Sequence, residues 1–172
     1  IGEPAALLAH FPGDTPRVDA EPAAMVPSGV RFSLSLVPFC DPGDRQPYRR
    51  TFELCRLAES VGFDTVMVGH HHFLEGQISD PLTLLAAIAV QTTTLRVASA
   101  IFLLPLHHPL QVAERVATLD QLSGGRVSLG VGIGWTPVEY RAFGASLAER
   151  GARLEESLGL LRRLWTERDV AG

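Results

Sequence analysis

The chain has 172 residues, 46% of them hydrophobic and 20% charged, and a formal net charge of -4. This is the make-up of an ordinary soluble globular chain of about one domain, and an acidic balance without a basic run argues against a nucleic-acid partner. No apolar stretch reaches the roughly 18 residues of a membrane span, and no secretory leader pattern is present, so a cytoplasmic setting and no membrane partner are expected.

Residues 1–30 read as a proline-rich arm or linker, because Pro4, Pro12, Pro16, Pro22 and Pro27 punctuate a stretch without sustained period. From Arg31 the pattern becomes regular. Apolar strands are expected to start near Arg31, Asp64, Leu95 and Arg126, a recurrence of 33, 31 and 31 residues, the length of one strand, one helix and two loops. The first helix is expected over Gln46–Val61, with Phe52, Cys55, Leu57 and Ala58 inward and Gly62 at the stop. The second opens at Asp80-Pro81, a cap followed by a first-turn proline, and runs through Leu82, Leu84, Leu85 and Ile88 to Val90. Leu95–Leu104 is long enough for a buried strand and ends at Pro105, which cannot donate to a ladder.

Pro109 begins the third helix. Val112, Ala113, Val116, Leu119 and Leu122 recur at helical spacing until Ser123-Gly124-Gly125 stops it. Arg126–Val131 is the fourth strand, and it runs into Gly132-Ile133-Gly134-Trp135, where glycines leave the backbone open to a close-packed ligand. A fourth helix is expected over Leu147–Trp165, with Leu147, Leu154, Leu158, Leu161 and Trp165 as its apolar stripe and a Glu149/Arg153 pair on another face. Cys40 and Cys55 lie at no motif spacing and read as free thiols.

Four βα units in series suit either a doubly wound sheet or a (β/α)8 barrel. A dinucleotide-binding sheet would carry G-x-G-x-x-G after its first strand, whereas Val37-Pro38-Phe39-Cys40 stands there, and the pattern therefore favours the barrel.

Several stretches resemble one family. Gly62-Phe63-Asp64-Thr65-Val66-Met67-Val68-Gly69-His70-His71-His72-Phe73, the run from Val97 through Leu104-Pro105-Leu106-His107-His108-Pro109, the segment Ala113-Glu114 to Gly125-Arg126, and Gly130-Val131-Gly132-Ile133-Gly134-Trp135 are similar to the bacterial luciferase-like flavin-dependent monooxygenases, in family order and spacing. The resemblance implies an α/β fold of the (β/α)8 TIM-barrel type, of which residues 31–172 supply about the first four units. It also implies reduced FMN, or the deazaflavin F420 in sister branches, at the C-terminal ends of the strands, and a small organic substrate. It further implies a homo-oligomer or a complementing chain, and a cis peptide bond between Ala100 and Ile101. By the same resemblance His71 is the catalytic residue and His72 a pocket neighbour. Ser99, Ala100, Ile101, Gly130, Gly132 and Gly134 are expected toward the flavin, and Trp135 is expected either over the pocket mouth or as a cover on apolar surface. The flavin phosphate is held in the family by residues beyond this stretch. A local departure is His70, which stands where the family carries an acid.

Read as residues alone, the histidine run has three interpretations. Metal ligation is disfavoured because the spacing offers no third converging donor and no Cys or carboxylate partner. The run can be structural, or it can serve an active site, since barrel chemistry sits at strand C-termini and an imidazole exchanges protons near neutral pH. Alternation along a strand puts His70 and His72 on one side and His71 on the other. His108 can cap the third helix, Ser99 can be satisfied by backbone, and the glycines can serve tight packing. Two functions from different classes are carried forward: a flavin-dependent oxidoreductase, and a non-catalytic or truncated half-barrel that binds flavin weakly or associates with a partner chain.

Overall fold

A computed structural model describes residues 29–36, 48–74 and 77–168. Within them the chain runs β1 (Ser33–Leu36), α1 (Arg49–Ser60), β2 (Thr65–Val68), α2 (Pro81–Ala89), β3 (Arg96–Leu103), a 3-10 turn (Leu104–Leu106), α3 (Pro109–Ser123), β4 (Val127–Gly132), α4 (Pro137–Ala142) and α5 (Arg150–Thr166). The strands form one parallel sheet in the order β1-β2-β3-β4. Sequential order separates the two architectures left open by the sequence. A doubly wound sheet reverses direction about its first strand, whereas a barrel adds each strand beside the last. The sheet is four consecutive units of barrel type.

Alternation along β1 and β2 builds two different faces. Leu36, Val66 and Val68 are buried beneath the helices, while Ser35 is exposed and Thr65 and Met67 are half-buried on the opposite side. The core lies between sheet and helices: Val66, Val97 and Phe102 meet Leu85, Ile88, Val112, Leu119 and Leu161. Burying each such side chain contributes about 1.5–3 kcal/mol. At the N-terminal ends of the strands, Arg126 donates to the carbonyls of Ala89, Thr92, Leu95 and Ser123. Beside it, Glu59 Oε1 accepts the N–H groups of Thr93, Thr94 and Leu95. Desolvation alone would raise the Glu59 pKa, but the hydrogen bonds from Thr94, Leu95 and Thr93 outweigh it and hold the carboxyl below its usual range. These two side chains tie loops to the strand starts.

Helix boundaries follow the sequence signals closely. Asp80 caps α2 by accepting from Thr83 N at 3.3 Å, and Pro81 opens it. Gly124 ends α3 in the left-handed region at φ 66°, which a side chain would disfavour. Four readings need correction. Leu57 is 57% exposed on the outer face of α1, where Thr51, Cys55 and Ala58 point inward instead. His108 makes no side-chain cap on α3. α5 starts at Arg150, so Leu147 precedes it and packs against Leu103, Leu106 and Tyr140. Arg153 sends its guanidinium to the Pro105 carbonyl at 3.0 Å rather than to Glu149, because a buried backbone acceptor competes with an exposed carboxylate. α4 is an element the periodicity did not signal. Cys55 is a free, buried thiol, and burial raises its pKa to about 11; Cys40 and nearly all of the proline-rich segment lie outside the described residues. No helix among the described residues is long and apolar enough to cross a membrane.

Candidate functional site

β3 is the element that shapes the site. Its pairing with β4 is regular to Ser99↔Leu129 and resumes at Phe102↔Val131, so three steps on β3 match two on β4. The extra residue breaks alternation, and Ala100 and Ile101 are both exposed while Ser99 and Phe102 on either side are buried. The peptide bond between Ala100 and Ile101 is cis, as the resemblance implies. These two residues face a cleft of about 390 Å³ at the C-terminal ends of the strands, lined also by Ser35, Gly69, His70, His71, Gly134 and Trp135.

The histidine run lies where β2 ends. His70 and His72 share a side, with Nε2 atoms 2.9 Å apart, and His71 turns the other way, its ring edge-on to Trp135. The Leu103 N–H donates to His70 Nδ1 at 3.1 Å, which leaves the ring proton of His70 on Nε2 to be donated to His72. His71 Nδ1 lies 3.3 Å from Glu139 Oε1, and the same oxygen accepts the His72 backbone N–H at 2.7 Å. Glu139 is fully buried and its Oε2 has no partner. A carboxylate without solvent, held by one backbone donor and one imidazole, fixes both where the run sits and which way the His71 ring faces.

Glu139 reaches this place because α4 follows the glycine turn directly. Tyr140, the next residue, is buried and donates its hydroxyl to the Ile133 carbonyl, pinning α4 against the turn. Nothing periodic marks Glu139 in the sequence; the available signal is Thr136-Pro137, a cap and first-turn proline placing an acid in the first turn of a short helix.

Burial distinguishes the three imidazoles behind the cleft. Desolvation, with the neighbouring His72 and His107, pushes His70 down to about 3. Burial, with His72 and Arg115 nearby, pushes His107 down to about 4, and burial likewise lowers His72. All three are neutral at pH 7. The expectation that no third donor converges on the run does not hold. His107, from the turn after β3, stacks on His70 and brings a nitrogen within 4.8 Å of those of His70 and His72.

The residues expected to meet a flavin divide into two groups. Ala100, Ile101, Gly134 and Trp135 line the cleft with His71. Ser99 is buried and donates its hydroxyl to the Gly130 carbonyl at 2.8 Å. Gly130 and Gly132 are packing glycines: a Cβ on Gly130 would lie 2.4 Å from the Ser99 carbonyl oxygen, and one on Gly132 would lie 2.0 Å from Ile101 Cδ1. His72 is buried among His70, His107 and Phe143 rather than on the cleft wall, where His70 stands instead.

A parallel βα sheet of barrel order, with its cleft at the strand C-termini and an imidazole–carboxylate pair on the cleft wall, is the class of a TIM-barrel enzyme half. Residues 30–172 match the model of the luciferase-like monooxygenases, and the chain belongs to this family. It is 38% identical over 118 residues to a 4-hydroxyprotoasukamycin monooxygenase of Streptomyces nodosus subsp. asukaensis, covering 68% of this chain and 32% of that protein. A Streptomyces bottropensis monooxygenase superposes with a TM-score of 0.77 at 36% identity, over 83% of this chain and 45% of that one. The oxygenating constituent of 3,6-diketocamphane monooxygenase from Pseudomonas putida, a structure in complex with FMN, gives a TM-score of 0.72 at 30% identity, over 78% and 39%. The chain thus spans about a third to a half of the length of these relatives.

Proposed function

We propose that this chain forms the cleft-bearing half of a flavin-dependent monooxygenase that uses reduced FMN and dioxygen on a small organic substrate. The observation that carries the reading is His71: its imidazole lines the cleft and is oriented by a buried carboxylate, beside a backbone bulge that turns Ala100 and Ile101 toward the same space. The fit is to the ring end of a flavin. The exposed Ala100-Ile101 segment, Gly134 without a side chain and the Trp135 ring offer an apolar stretch of wall, and among the described residues no cluster of cationic side chains lines the cleft to grip a phosphate. When bound, the flavin supplies the redox chemistry, and the protein supplies orientation, exclusion of water and proton handling.

His71 does the proton work. With Nδ1 turned to Glu139, the ring proton on Nδ1 is donated to the carboxylate, and Nε2 is left to take a proton from, or return one to, the reacting group in the cleft. Glu139 keeps that tautomer and also anchors the His72 backbone, so the ring cannot swing away from the cleft. The similarity to a protein crystallised with FMN supports FMN over a deazaflavin. The remaining strands of the barrel would come from further residues or from a second chain, covering the Ile101 side chain and pairing the edges of β1 and β4 that have no partner strand among the described residues.

The experiment is His71→Ala in protein with the complete barrel. Flavin affinity should stay within a few-fold of wild type, because the phosphate grip lies elsewhere, while product formation from reduced FMN and air falls by about a hundredfold to ten-thousandfold. Unchanged turnover would make His71 structural. Absence of flavin binding in the wild-type protein would favour the non-catalytic half-barrel, and turnover with reduced F420 alone would replace FMN.

A further inference from the structure

We propose that His70, His72 and His107 form a three-imidazole site for a zinc-class divalent cation, set behind the cleft wall where β2 and β3 end. The proposal does not rest on the flavin reading. Its basis is convergence. Two segments more than thirty residues apart bring one ring nitrogen each from three side chains to within 4.8 Å of one another. His107 Nε2 is buried and has no hydrogen-bond partner, an arrangement that folded proteins rarely leave unanswered. The Nε2 atoms of His70 and His72 face each other at 2.9 Å, and a cation between them would take the place of the hydrogen bond that joins them.

The donor set selects the ion. Three neutral imidazoles without an oxygen ligand suit zinc and its neighbours and do not suit magnesium or calcium. Tetrahedral ligation with zinc–nitrogen bonds near 2.05 Å separates the nitrogens by about 3.3 Å, so the His70/His72 pair opens by a few tenths of an ångström and His107 swings inward. Asp80, whose carboxyl accepts from the Thr83 N–H and hydroxyl, is not among the three donors that converge, so water takes the fourth position.

The cost falls on Leu103. A His70 that ligates through Nε2 carries its proton on Nδ1, and the Leu103 N–H then loses its acceptor. One lost buried hydrogen bond weakens binding by roughly tenfold to a hundredfold, which three imidazole–zinc bonds exceed. The ion would clamp the turn after β3 to the end of β2, holding the wall that His70 and Leu103 contribute to the cleft.

The test uses purified, metal-stripped protein. Titration with Co(II) should give intense visible ligand-field bands that saturate at one equivalent and are displaced by Zn(II), and Zn(II) should raise the urea midpoint. His72→Asn and His107→Asn should each weaken Co(II) binding by about a hundredfold or more, while His108→Asn, the exposed neighbour, should leave it unchanged. Wild-type protein that shows no saturable band overturns the proposal by itself, whatever the variants do. Bands that persist unaltered in a folded His107→Asn protein overturn it as well.

Discussion

Replacing Glu139 separates positioning from packing. Its side chain is fully buried, and one oxygen accepts the His72 N–H at 2.7 Å and faces His71 Nδ1 at 3.3 Å. Glu139→Ala removes both contacts, leaves a buried N–H unsatisfied and opens a cavity. The unsatisfied donor costs about 1–3 kcal/mol and the lost packing adds to it, so a total of about 3–4 kcal/mol is expected. Glu139→Gln keeps the shape and an acceptor oxygen, so only the charge-assisted part of the bond is lost, about 1 kcal/mol. Urea unfolding read by circular dichroism gives both values. The informative comparison is activity: Glu139→Gln should slow turnover by tenfold or more while shifting the urea midpoint little, because a neutral amide oxygen holds the His71 proton on Nδ1 less strongly than a carboxylate does. The pH profile of turnover should shift with it. Wild-type turnover in Glu139→Gln, or a loss no larger than stability explains, would refute a positioning role.

Three further outcomes follow from the same geometry. His70 and His107 have folded pKa values of about 3 and about 4 against an ordinary 6.5; since the unfolded chain binds these protons first, the stability they give is complete above pH 6.5 and is lost as pH falls toward 4, with a slope approaching about 2.7 kcal/mol per pH unit. A urea midpoint that stays flat between pH 6.5 and 4.5 would contradict this. Gly130→Ala should destabilise by about 2–3 kcal/mol because its Cβ meets the Ser99 backbone carbonyl, and Gly132→Ala should cost less because the Ile101 terminus can rotate away; equal midpoints in a thermal melt would refute the distinction. The buried Cys55 thiol, with its pKa raised to about 11, should resist alkylation at pH 8 in native protein and react once unfolded, as peptide mapping by mass spectrometry would read.

Sequence by itself determined the units. A strand such as Thr65–Val68 and a helix such as Pro81–Ala89 are written in local terms, a short apolar β-branched run in one and a cap, a proline and a 3.6-residue stripe in the other, and these were legible without any tertiary information. The motifs around His70–Phe73 and Gly130–Trp135, through their resemblance to the family, pointed to the ends of the strands, where a cleft lies. Tertiary structure decided what those ends bring together. Strand order chose the barrel over the doubly wound sheet, since each βα unit has the same local pattern in both. Glu139 and His107 joined the site across 68 and about 35 residues of sequence, and neither is distinguished by spacing, because convergence in space is set by the register of β2 on β3 and β3 on β4 rather than by neighbours along the chain. The glycines show the same limit from the other side. Gly130, Gly132 and Gly134 are alike in sequence, but Gly130 is required by the Ser99 backbone, Gly132 is crowded only by the movable end of the Ile101 side chain, and Gly134 lines the cleft, a difference fixed by which residues of β3 lie opposite them.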